Sequence, residues 1–173
     1  VVDEAYQMFG SQTSAKLCLK NEHVVVLRTL SKAFGLPSIR FGYVIAHHKM
    51  IKILDSYRLS YESNYLTDKV VIYFIKNFQK IKSYNHSIIK GRNYFKKNLQ
   101  KIGVKVIGGK ANFLLINFKN KKILIEILKK FKKNKIYVKS NYRGELASCI
   151  LVTCGSIKTM KKILNLIKSE ISS

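Results

Sequence analysis

At 173 residues, 47% hydrophobic and 24% charged, the chain is long enough for one cored domain or for parts of two smaller ones. It has no apolar run of the roughly 18 residues that a membrane span needs, and no charged-then-apolar leader, so a soluble, cytoplasmic setting without membrane association is expected. The formal charge of +24 would draw any polyanion, yet 28 Lys stand against 5 Arg, spread among Ile, Asn and Tyr as an AT-rich coding sequence would place them, which argues against an evolved nucleic-acid strip.

In chain order, Val1-Val2 reads as the end of a buried strand. Residues 12–19 suit a short helix, and His23 to Leu27 is an apolar, β-branched run that reads as a buried strand. A polar loop marked by Gly and Pro follows from Arg28 to Ile39, then a second strand from Arg40 to Ala46. A helix is expected over His48 to Leu59, with Ile51, Leu54 and Tyr57 or Arg58 on one face. Strands alternating with helices, and apolar on both sides, point to an α/β layer with a parallel or mixed sheet.

Beyond residue 64 the pattern changes. Leu66, Val70, Phe74, Phe78 and Ile81 fall on one stripe of a long helix that continues through Ile88, Tyr94, Phe95 and Leu99 and stops at Gly103. A short strand (Val104 to Ile107), a Gly108-Gly109 turn and a stronger strand (Asn112 to Phe118) come next. Lys121 to Lys133 reads as an amphipathic helix with Ile123, Leu124, Leu128 and Phe131 inward. Ile136 to Val138 and Cys149 to Thr153 read as strands, and Ile157 to Ser169 as a helix burying Met160, Ile163, Leu164 and Ile167. These make a compact α+β unit, so the expected domains are 1–64 and 65–173.

Two segments carry chemistry. Asp3-Glu4-Ala5-Tyr6 directly follows an apolar strand end. Arg28-Thr29-Leu30-Ser31-Lys32-Ala33-Phe34-Gly35-Leu36 is trailed by Ile39-Arg40-Phe41-Gly42-Tyr43. With one strand between them, both can sit at the carboxyl edge of one sheet, where α/β proteins bind ligands. Thr29, Ser31 and Arg40 offer two hydroxyls and a guanidinium, a set suited to a phosphate dianion. Lys32 adds an amine for Schiff-base chemistry. Asp3 is an anion able to pair with a protonated ring nitrogen, and Tyr6 a phenol for an anionic oxygen.

These segments resemble those of fold-type-I pyridoxal-phosphate enzymes, and most closely the histidinol-phosphate aminotransferase group of the class I/II aminotransferases. Ala111-Asn112-Phe113 and Val152-Thr153-Cys154-Gly155 resemble that group's C-terminal domain. The resemblance implies the C-terminal part of the fold: part of the large-domain mixed sheet, then a small α+β domain opened by a long connecting helix. It implies a transaminase using pyridoxal 5'-phosphate, moving an amino group from a small-molecule amino donor to an oxo acceptor, as a homodimer. Lys32 would be the catalytic residue, forming the Schiff base and shuttling the proton. Asp3 would hold the ring nitrogen protonated, Tyr6 would bond the phenolic oxygen, and Thr29, Ser31 and Arg40 would bind the phosphate. Gly35 and Gly42 would serve the turn and close packing. Asn112 is a candidate for orienting substrate. A decarboxylase of the threonine-phosphate decarboxylase type is the alternative.

Two departures bear on that picture. The family's chain is about twice this length, so the sequence is expected to be a fragment or a truncated, inactive product. The family's carboxylate-binding arginine, two residues before Thr153, is here Leu151. Arg143 can replace it, the substrate can lack that carboxylate, or the copy can be degenerate. His47-His48 read as a turn rather than a metal site, and Cys18, Cys149 and Cys154 as buried or idle thiols.

Overall fold

The computed structural model describes residues 1–118 and 120–171. They form two compact units, Val1–Asn85 and His86–Ser173. In the first, β1 (Val2–Asp3), β2 (Val25–Thr29) and β3 (Gly42–Ala46) make a sheet in that order. β1 runs parallel to β2 and β3 antiparallel to it, so the sheet is mixed. Val26 is fully buried at its centre, in the branched run where a strand is expected. β2 extends two residues past the expected end, which makes Arg28 and Thr29 strand residues.

Three helical expectations need correction. Residues 12–19 give only a 3-10 turn at Ala15–Leu19. α1 spans His48–Asp55 and stops short of Leu59, because the Ser56 hydroxyl donates to the Ile53 carbonyl (2.7 Å) and Arg58 folds back to Asp55 (3.0 Å). Ile51 and Leu54, on the shared face, are 38% and 39% exposed. The long helix is two, α2 (Tyr65–Lys76) and α3 (Phe78–Lys101). Asn77 separates them: its side-chain amide takes the Tyr73 carbonyl (2.9 Å), a local bond that competes with continuation. Val71 and Thr67 are buried in α2, while Leu66 is 75% exposed.

In the second unit β4 (Lys105–Ile107), β5 (Phe113–Asn117) and β6 (Cys149–Thr153) form an antiparallel sheet in that order. Leu114 pairs with Val152 and Ile116 with Ile150, so period-two alternation gathers four apolar side chains on one buried face. α4 (Lys121–Lys133) has the expected bounds and buries Leu124, Ile127 and Phe131. α5 (Ile157–Ile171) buries Met160, Ile163, Leu164 and Ile167, the four expected residues. α3 approaches the start of α5 backbone to backbone: a Cβ on Gly91 would lie 1.9 Å from the Gly155 carbonyl oxygen. Ile136 to Val138 is not a strand. Lys135 turns the chain in the left-handed region (φ 57), and contact with β6 is limited to the Lys139–Leu151 bridge. Among the described residues no helix is long and apolar enough to cross a membrane.

Candidate active site

Because β1 and β2 are parallel neighbours, Asp3 and Thr29 close their strands at the same edge of the sheet. Beyond Asp3 the chain stays tied to β2 for one more bond, from the Glu4 amide to the Leu27 carbonyl (2.9 Å). It then turns into a 3-10 segment, Gln7–Phe9, whose Phe9 is fully buried. The Asp3 carboxylate is exposed and accepts the Ala5 amide (2.9 Å).

The segment after β2 is anchored on both sides of Lys32. Leu30 and Ala33 are each 3% exposed, the Leu30 amide donates to the Phe41 carbonyl, and the Gly35 amide closes a turn on the Lys32 carbonyl. The Lys32 side chain projects from this anchored turn into an exposed position, its Nζ 5.6 Å from the centre of the Tyr6 ring. Tyr6 is half-buried. The two motifs, 26 positions apart from Tyr6 to Lys32, thus meet at one sheet edge.

The phosphate candidates lie on the same loop system. The Thr29 hydroxyl donates to the Phe41 carbonyl (3.3 Å) and accepts the Ser31 amide (3.0 Å), which ties Thr29, Ser31 and Phe41 together. In this arrangement Thr29 spends its proton on the backbone, while Ser31 is half-buried next to it. Arg40 follows the Pro37–Ile39 turn, sits at φ 51 and bonds the Pro37 carbonyl (2.9 Å), leaving an exposed guanidinium. Gly42 permits the approach of β3, since a Cβ there would come within 2.9 Å of the Arg28 carbonyl oxygen. A cleft of about 330 Å³ opens beside Asp3 and Tyr6 and is walled by Glu4, Gln7 and Ser14 rather than by Lys32, Thr29 or Ser31, while Arg40 borders a separate cavity of about 630 Å³ with Tyr43 and Ile51. An amine and a phenol meet at this sheet edge, where a carboxylate, a hydroxyl and a guanidinium also emerge, and these donor types suit a flat, aldehyde-bearing ring with a phosphate ester.

On the reverse face is a group that sequence reasoning missed. Glu4, 8% exposed, receives the Arg28 Nε (3.0 Å) and Nη2 (2.9 Å), the Thr13 hydroxyl (2.9 Å) and the Ser14 amide (2.5 Å). Burial alone would push the Glu4 carboxyl up. The Ser14 amide, Arg28 and Thr13 together outweigh it and hold the carboxyl below the usual range. The signal lay in opposite charges flanking Asp3 and Thr29, at positions that strand alternation puts on one face.

The remaining candidates belong to the second unit. Asn112 is half-buried and its carbonyl accepts the Cys154 amide (2.7 Å); the carbonyl before it, on Ala111, accepts Arg92 Nη1 (2.8 Å). Arg143 is exposed ahead of the Gly144–Leu146 turn. Leu151 is half-buried in β6. His47 is the N-cap of α1, its Nδ1 accepting the Lys49 amide. All three cysteines are buried free thiols, and burial pushes Cys154 up to about 12 despite the pull of Arg92. No group of three metal-ligating side chains occurs among the described residues.

This fold and motif order are those of the class I and II aminotransferases: the family model for aminotransferase class I and II matches residues 1–167, and the chain belongs to that family. It is 31% identical to a histidinol-phosphate aminotransferase of Clostridium botulinum (strain Okra / Type B1), over 99% of this chain and 49% of that one. Among solved structures it is similar to the histidinol-phosphate aminotransferase of Clostridium acetobutylicum, with TM-score 0.80 and 24% identity over 98% of this chain and 53% of that one. The enzyme of that name from Sinorhizobium meliloti, solved with pyridoxal-5'-phosphate, gives TM-score 0.77 and 18% identity over 98% and 48% of the two chains. The chain therefore spans about half the length of the relatives it matches.

Proposed function

We propose that the polypeptide carrying these residues is a pyridoxal-phosphate-dependent aminotransferase of the histidinol-phosphate aminotransferase type, with Lys32 as its catalytic amine. The observation that carries this reading is the meeting of Lys32 with Tyr6, beside the Asp3 strand end, in a chain of this family. The Sinorhizobium relative solved with the cofactor supports the choice of ligand. Bound pyridoxal phosphate supplies an aldehyde that captures amines and a ring that draws electrons from a breaking bond at the substrate carbon.

The chain's own residues then have separate tasks. Lys32 would hold the cofactor through Nζ and would move the proton at the substrate carbon. Asp3 keeps a proton on the ring nitrogen. Tyr6 directs its hydroxyl to the ring oxygen, and Ser31, Arg40 and Thr29 bind the phosphate, with Thr29 exchanging its bond to Phe41. Asn112 and Arg143 are assigned to the substrate. Residues 1–64 are assigned to the end of the cofactor domain and 65–173 to the small domain; each part carries one three-stranded sheet, and the compact units themselves divide further on, between Asn85 and His86 in α3. A cytoplasmic homodimer is the proposed working form, supported by family membership and by three buried free thiols.

In the intact native polypeptide, Lys32→Ala is expected to abolish the visible absorbance of bound cofactor. Retention of the wild-type band would refute the role of Lys32. With candidate amino donors, the oxo product should form without carbon dioxide; release of carbon dioxide would establish the decarboxylase alternative. Leu151→Arg is expected to raise kcat/KM for an ordinary amino-acid donor, and no gain would remove this position from specificity.

A further inference from the structure

The buried group behind the site is placed to act on it. Glu4 follows Asp3 and Arg28 precedes Thr29, and side chains alternate along a strand. The Glu4–Arg28 pair therefore ties the two strands at the positions next to those that present Asp3 and Thr29. Both strands end here, and Glu4–Leu27 is the last backbone bond between them. Beyond that bond, what fixes their spacing is the two-contact bond of Arg28 to one Glu4 oxygen, at 3.0 and 2.9 Å. Thr13 and Ser14 complete the carboxylate from a separate loop, and Arg28 also meets Tyr43 across the pairing with β3. The group thus ties β1, β2, β3 and the 11–14 loop at one point. Its charges are sheltered, with side chains 5% and 21% exposed for Glu4 and Arg28, where charge-assisted bonds are stronger and more directional than at the surface.

We propose that Glu4 and Arg28 are positioning residues that set the separation between Asp3 and the Thr29–Ser31–Lys32 loop, and so match the distance from the ring nitrogen to the phosphate of the bound cofactor. Resting on the reading of this site as a pyridoxal-phosphate site, the clamp acts through backbone position, its carboxylate being already filled by Arg28, Thr13 and Ser14. It works because Asp3 and Thr29 have no side-chain bond to each other among those described, so their geometry follows the backbone that the clamp holds.

The test uses the intact native polypeptide, stripped of cofactor and titrated with pyridoxal phosphate by absorbance, with the thermal midpoint of each cofactor-free protein measured alongside. Glu4→Gln and Arg28→Lys are each expected to raise the cofactor Kd on the order of tenfold, the size of one lost charge-assisted hydrogen bond. Glu4→Gln/Arg28→Lys together should lose about as much as either alone, because both break one interaction. Ile150→Val, in the core of the second unit, should lower the thermal midpoint without moving Kd. A wild-type Kd in Glu4→Gln despite a lowered midpoint would make the pair merely structural and overturn the proposal, as would simple addition of the two losses. Should Glu4→Gln fail to fold, Arg28→Lys, which keeps the charge, decides by the same comparison with Ile150→Val. Failure of the wild type to take up pyridoxal phosphate would appear before any variant is compared; it would overturn the aminotransferase reading, and the clamp with it.

Discussion

The two three-stranded sheets of this chain are held in different ways. In the second unit, Leu114, Ile116, Ile150 and Val152 line one face at 0–1% exposure. In the first, Leu27, Tyr43 and Val44 are each 40% exposed, and order at the strand ends comes from polar ties: Glu4 to Arg28 and Thr29 to Phe41. Burial of apolar area is strong and indifferent to direction, whereas a hydrogen-bonded ion pair contributes less energy but fixes a geometry. In the unit that carries the chemistry, directional bonds at the strand ends stand beside a small core of Phe9, Cys18, Val26, Leu30 and Ala33.

Core truncation should separate the units most sharply. Leu114→Ala, which empties a fully buried site, is expected to lower unfolding stability by about 3 kcal/mol in urea titrations. Leu54→Ala, at an exposed position of α1, should stay within about 0.5 kcal/mol. Equal losses would contradict the comparison. Gly91→Ala comes next: its methyl collides with backbone, which cannot rotate away, and about 2 kcal/mol of destabilisation is expected.

Acid should act on the first unit through Glu4. The folded carboxyl titrates below the ordinary value of 4.5, so its ionised form contributes stability above that pH, and the contribution is lost as pH falls through the lowered folded value. Wild type should therefore lose stability more steeply than Glu4→Gln below about pH 4.5 in acid-unfolding curves. Parallel curves would show that Glu4 is not tied as described. The smallest effect concerns reactivity. Cys154, pushed up to about 12, carries almost no thiolate at neutral pH, so iodoacetamide should label it slowly in native protein and rapidly after unfolding.

What the sequence disclosed follows the same division. The inward residues of α5 and the bounds of α4 were legible because each helix packs one apolar stripe against its own unit. Along the stripe from Leu66 to Ile81, Val70 and Phe74 are half-buried and Ile81 buried, but Leu66 is 75% exposed, since periodicity reports an apolar face and not whether anything lies against each residue. The break at Asn77 depends on a side-chain bond that no periodicity announces. At the site, Lys32, Asp3 and Tyr6 stood out through residue type and a family resemblance. Glu4 and Arg28 did not, because a charged pair becomes meaningful only once the strand register places both on one face.

The central claim concerns one amine among 28 lysines. The most direct test is borohydride reduction of the intact native polypeptide with pyridoxal phosphate, followed by peptide mapping of the stable adduct by mass spectrometry. The account predicts one stoichiometric adduct on the peptide containing Lys32. An adduct spread over surface lysines, or concentrated on any other one, would contradict it.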